Sequence, residues 1–129
     1  MVTVTPSRRP FVKCEWIRPG MHVTAVGADE PGKQELDERI FGLADLIVVD
    51  RLAQCLERGE LHHAVEKGVV TPSDVAGELG DLVAGRIRGR TSDDQITVCD
   101  LTGVGVQDAA VAALALERAA TLGLGREIA

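Results

Sequence analysis

The residues best placed to do chemistry lie in Gly27-Ala28-Asp29-Glu30-Pro31-Gly32-Lys33-Gln34-Glu35, directly after the run Met21-His22-Val23-Thr24-Ala25-Val26. A carboxylate at Asp29, in a loop leaving a buried strand, could take a proton from an amine or orient a water for attack on an imine. Gly27 allows an unusual backbone angle or close approach of a ligand, and Pro31-Gly32 pins the loop. A turn aspartate that hydrogen-bonds its own loop fits the same spacing. Glu35 reads as support for the loop and for the start of a helix. Lys33 stands open between support and a role in the site.

Three further groups lie just past apolar runs. Thr5-Pro6-Ser7 follows Val2-Thr3-Val4, Asp50 follows Leu46-Ile47-Val48-Val49, and Asp100-Leu101-Thr102-Gly103-Val104 follows Ile96-Thr97-Val98-Cys99. His62 and His63 are adjacent, so a helix sends them to different sides and they cannot face one metal. No metal site is expected.

The elements that must position these residues alternate. Strands are expected at Val2–Thr5, His22–Gly27, Leu46–Val49 and Ile96–Cys99. Cys14–Ile17 reads as a short helical turn. Helices are expected over Gln34–Leu43, Arg51–Arg58, Glu60–Lys67, from Ser73 or Asp74 to about Ala84, and over Val106–Leu122. Alternation of this kind implies a parallel sheet with right-handed crossovers, and strands that are apolar throughout agree. In such a sheet the strand ends share one edge, so the four groups converge on one crevice.

At 129 residues, 45% hydrophobic and 26% charged, the chain is a single soluble globular domain. Aromatics make up only 2%, so the core must be built from Val, Leu, Ile and Ala. A formal charge of -6 argues against nucleic acid as a partner. No apolar run approaches membrane-spanning length and no leader is evident, so no membrane is expected either. Cys14, Cys55 and Cys99 are scattered without a C-x-x-C pair, which reads as reduced thiols in a cytoplasmic protein.

Two long motifs, Val26-Gly27-Ala28-Asp29-Glu30-Pro31-Gly32-Lys33-Gln34-Glu35-Leu36 and Asp100-Leu101-Thr102-Gly103-Val104-Gly105-Val106-Gln107-Asp108, resemble the ornithine cyclodeaminase/mu-crystallin family. The resemblance runs from Val2 to Gly125. It implies an α/β fold: the second half of a Rossmann-like parallel sheet of about four strands, flanked by helices and ending in a long apolar helix. It implies NAD or NADP as cofactor, without choosing between them. It assigns acid/base catalysis to Asp29, with Lys33 and Glu35 as support. Thr5, Pro6 and Ser7 would form a turn beside the cofactor, with Gly27 close by. Thr102 and Gly103 would supply hydroxyl and backbone contacts near the nicotinamide, and Val104 an apolar wall. The implied reaction passes a hydride between an amino-acid Cα and the cofactor, as in ornithine cyclisation to proline, alanine dehydrogenation or cyclic imine reduction.

The sequence holds no G-x-G-x-x-G between a strand and a helix, the loop that cradles a dinucleotide pyrophosphate. The family's N-terminal substrate domain is not recognisable either, so residues 1–129 read as a partial NAD(P)-binding domain. A first strand with one open edge needs cover, and so does Ala109–Leu116, apolar around its whole circumference. The expected partner is a second copy or a complementary N-terminal half, together with an amino-acid or cyclic imine substrate. The alternative is a non-catalytic remnant or interaction subunit of such an enzyme.

Overall fold

The computed structural model describes residues 1–126. Its strands are β1 (Val2–Thr3), β2 (Arg8–Val12), β3 (His22–Ala25), β4 (Gln34–Leu36), β5 (Leu46–Val49), β6 (Val75–Glu78) and β7 (Thr97–Asp100). Its helices are α1 (Arg39–Leu43), α2 (Leu52–Cys55), α3 (Glu60–Glu66), α4 (Leu79–Val83) and α5 (Gly105–Leu122). Five strands form one parallel sheet in the order β1-β3-β7-β5-β6, and β2 pairs with β4 as a separate parallel ribbon. The α/β class and the long last helix agree with the sequence reading.

The main sheet has one strand more than the four expected, and three helical expectations change, the expected Arg51–Arg58 helix being α-helical only over Leu52–Cys55. Gln34–Leu36 is strand β4, and only Arg39–Leu43 of the expected Gln34–Leu43 helix is helical. Gln, Glu and Leu are helix formers, but pairing with β2 overrides that preference. The expected helix from Ser73 is a 3-10 turn at Pro72–Asp74, then β6, then α4. Asp74 does accept a cap-like bond from the Thr71 amide, at 2.7 Å. β6 then pairs with β5 at the sheet edge, a tertiary choice that Val-Ala-Gly-Glu does not announce.

The core packs β3, β5 and β7 against β4, α1 and α3. Leu36, Ile40, Phe41, Leu61, Val23 and Val49 are completely or almost completely enclosed. One aromatic, Phe41, joins an otherwise aliphatic interior. Register aligns the strand ends: Ala25 pairs with Asp100, and Asp100 with Val49.

Two surfaces are apolar and uncovered. β1 pairs only with β3 among the described residues, and Val2 and Val4 are exposed. None of the α5 side chains is buried, although the helix extends about 27 Å. Val106, Val111, Leu116 and Leu122 are each at least two-thirds exposed. A side chain already in water loses little on replacement. Leu116→Glu is therefore expected to change unfolding free energy by less than about 0.5 kcal/mol in urea. Leu36→Ala, in the core, is expected to cost about 2–5 kcal/mol.

Candidate functional site

Because every strand of the main sheet is parallel, the loops after β1, β3, β5 and β7 all leave from one rim. Buried carboxylates lock these loops together. Glu35, on β4 and fully enclosed, accepts the Thr5 amide at 2.6 Å and the Gly27 amide at 3.0 Å. It starts no helix. It joins the Thr5-Pro6-Ser7 turn to the Gly27 loop. The same two segments touch at the backbone: a Cβ on Gly27 would stand 2.2 Å from the Thr5 carbonyl oxygen.

Glu60, at the start of α3, accepts the Glu35 and Leu36 amides at 2.6 and 3.0 Å. Asp100, at the end of β7, accepts the Leu61 amide at 2.9 Å. Its second oxygen is buried without a hydrogen-bond partner among the described residues. Gly59 packs against this carboxylate with φ +89, where a Cβ would lie 2.6 Å from Asp100 Oδ2. Asp50, at the end of β5, accepts the Thr102 amide, the Gly103 amide and the Thr102 hydroxyl at 2.8, 2.8 and 3.1 Å. Four acids thus clamp the rim through backbone amides, which leaves its shape little freedom.

The candidate residues fall into two groups on this rim. Asp29 is half-exposed and pairs with Lys33 Nζ at 2.5 Å. That ammonium holds the Asp29 carboxyl below its ordinary value, so it is ionised at neutral pH. The Thr5 hydroxyl accepts the Ser7 amide at 3.3 Å, and the Ser7 hydroxyl donates to the Arg9 carbonyl at 2.7 Å. Pro6 is exposed at the apex of this turn.

Thr102 departs from expectation. Its side chain is buried, its hydroxyl engages Asp50 and Gln54, and the Gly103 amide is also occupied by Asp50. Both therefore brace the loop from inside. Val104 and the exposed face of Gly103 remain at the surface. These two residues, with Arg51, Gln54, Glu78 and Leu79, line a cleft of about 720 Å³ on the β5–β6 side of the rim. Thr5, Ser7, Gly27 and Asp29 are not part of that lining.

His62 and His63 also depart from expectation. Rotation about their side-chain bonds offsets the angular spacing of neighbouring helix positions, and their ring centroids lie 4.0 Å apart.

Burial pushes Glu60 up to about 8 and Asp100 up to about 7, against the pull of the amides they accept. Both folded values exceed the unfolded ones of 4.5 and 3.8, so the folded chain holds more protons and loses stability as pH rises through this range. His22 and His63 are held below 6.5 mainly by burial, and oppose this trend most strongly around and below that pH. Lowering the pH from about 8 to about 6.5 is expected to raise unfolding free energy by about 2 kcal/mol. Urea midpoints across that window measure it. A midpoint that falls on acidification contradicts the buried-acid picture.

Comparison with known proteins agrees with this architecture. The model of the ornithine cyclodeaminase/mu-crystallin family matches residues 1–122. Alanine dehydrogenase of Archaeoglobus fulgidus is 48% identical over 128 residues, covering 99% of this chain and 39% of its own length. The structure of an archaeal alanine dehydrogenase dimer with bound NAD superposes with a TM-score of 0.89 at 48% identity, over 99% of this chain and 40% of that one. A Thermococcus litoralis Δ1-pyrroline-2-carboxylate reductase, in complex with NADH and L-proline, gives 0.89 at 30% identity, over 98% of this chain and 39% of that one. This sequence therefore spans about two-fifths of the length of the relatives it matches. The chain belongs to the ornithine cyclodeaminase/mu-crystallin family.

Proposed function

We propose that this chain supplies the nicotinamide-side rim of an NAD(P)-dependent enzyme that interconverts an amino acid and its imine. The observation that carries the reading is the ionised Asp29–Lys33 pair, standing on a rim whose Thr5–Ser7 and Gly27 segments are locked by one buried carboxylate. The reading is supported by relatives of this family named as alanine dehydrogenase, iminosuccinate reductase and Δ1-pyrroline-2-carboxylate reductase.

The residues present fit one end of a dinucleotide. Gly103 and Gly105 border open space, where a Cβ would meet nothing within 4 Å, and Val104 offers an apolar surface beside them. No glycine-rich strand-to-helix loop for the pyrophosphate occurs in the sequence, so that end must be held by residues outside it. When bound, the cofactor accepts or supplies the hydride.

Asp29 manages protons on the substrate nitrogen. A substrate ammonium arriving at the rim competes with Lys33 for the same carboxylate. An exposed ion pair is worth at most about 1 kcal/mol, so the exchange costs little. Released from Lys33, the carboxylate returns toward its ordinary proton affinity and takes a proton from the amine as the imine forms. In the reverse direction it returns that proton. Ornithine, alanine and a cyclic imine all satisfy this chemistry.

The uncovered faces of β1 and α5 carry the partner reading, a second copy or a polypeptide corresponding to the N-terminal part of the relatives. The experiment is reconstitution. The chain is mixed with the N-terminal portion of the A. fulgidus relative, and NADH formation is followed with alanine or ornithine. Amino-acid-dependent turnover that needs both polypeptides is the expected result. If NADH fails to bind saturably both to the chain alone and to the mixture, the reading is wrong.

A further inference from the structure

On α3, one ligand atom from each of His62, His63 and Glu66 lies within 4.8 Å of the other two. Each imidazole also has one nitrogen committed to a backbone carbonyl. His63 Nε2 lies 2.8 Å from the Lys33 oxygen, and His62 Nδ1 lies 3.4 Å from the Gly59 oxygen. A carbonyl only accepts, so in the neutral rings these nitrogens carry the protons. Bare lone pairs are left at His63 Nδ1 and His62 Nε2. An imidazole anchored through its other N–H on a carbonyl is the arrangement that metal-ligating histidines adopt.

The surroundings favour a cation. Glu66 and Glu38 both act on His63 as nearby negative charges. We propose that His62, His63 and Glu66 bind a divalent, imidazole-seeking cation of the zinc class, with water completing its shell. Magnesium and calcium are poor candidates because they prefer oxygen ligands. Bonds of about 2.0–2.1 Å at tetrahedral angles bring ligand atoms to about 3.3 Å from one another. Half-buried His62 and His63 and exposed Glu66 close that gap by rotamer adjustment.

Occupancy has a defined route to the rim. His63 holds the Lys33 carbonyl, and Lys33 holds Asp29. Fixing the His63 ring steadies the segment that carries the Asp29 pair. The binding claim itself is independent of the enzymatic reading.

The test is calorimetric titration of zinc chloride into the full 129-residue chain at pH 7.5, in a buffer that does not chelate, with magnesium chloride as control. One saturable zinc site per chain, with Kd on the order of 10 µM, is expected. His62→Ala and Glu66→Gln, which leave the Lys33 contact intact, should each weaken it about tenfold or more, a loss of about 1.4 kcal/mol. Zinc-dependent NMR shifts should centre on His62 and His63. The absence of saturable heat below about 1 mM zinc overturns the proposal. So does binding that survives the His62→Ala, Glu66→Gln double change, which would place the metal on the thiols or elsewhere.

Discussion

Asp29→Asn is expected to lower turnover of the reconstituted enzyme about 10²–10⁴-fold while leaving the melting temperature essentially unchanged. The asymmetry follows from where the side chain sits. Asp29 is half-exposed and its one side-chain partner is the Lys33 ammonium, so the fold gains at most about 1 kcal/mol from the pair. Asparagine keeps the shape but cannot accept the proton of a substrate amine. Lys33→Met supplies the companion measurement. Removing the ammonium relieves the main influence that holds the Asp29 carboxyl low. The acid limb of the pH–rate profile should then move to higher pH. If Asp29→Asn keeps turnover within about threefold, Asp29 is a loop residue and proton transfer lies elsewhere.

Gly27→Ala is expected to destabilise the chain by about 3 kcal/mol or more, lowering the melting temperature by roughly 10 °C. The requirement for glycine here comes from close approach and not from backbone angle. A Cβ would fall 2.2 Å from the Thr5 oxygen, 2.5 Å from the Thr5 nitrogen and 2.5 Å from the Glu35 carboxyl carbon. Two of those atoms are backbone and the third is fully enclosed, so none can swing aside. The methyl must push the Thr5–Ser7 turn off the Gly27 loop and break at least one of the two amide bonds to Glu35. Gly80→Ala is the control. It lies in α4 with open space around it, and is expected to be neutral or stabilising by up to about 1 kcal/mol. Equal losses at the two positions contradict the packing argument.

How much was legible in advance differs element by element. β3, β5 and β7 were visible because each is a continuous apolar run, and α3 and α5 because a glycine bounds them. β4 and β6 were not. Gln34-Glu35-Leu36 and Val75-Ala76-Gly77-Glu78 have no strand signature of their own, and exist as strands only because a neighbour offers its hydrogen-bonding edge. The site divides in the same way. Asp29 was legible as a loop carboxylate, whereas Lys33 stood open and its pairing with Asp29 came from the structure. Apart from the Gly27 amide, eight residues from Glu35, the amides held by Glu35, Glu60, Asp100 and Asp50 across the rim lie 24 to 53 residues away in sequence, which local patterns do not show. The inward Thr102 hydroxyl belongs with them, since its orientation follows from where Asp50 arrives.

Sequence by itself determined the class of the fold, its strand-end loops and the motifs that tie it to a family, because short-range periodicity and turn chemistry are written residue by residue. The tertiary structure decided which loop acids face inward as clamps and which face water. That choice depends on burial, and burial is a property of the assembled layers, not of any one segment.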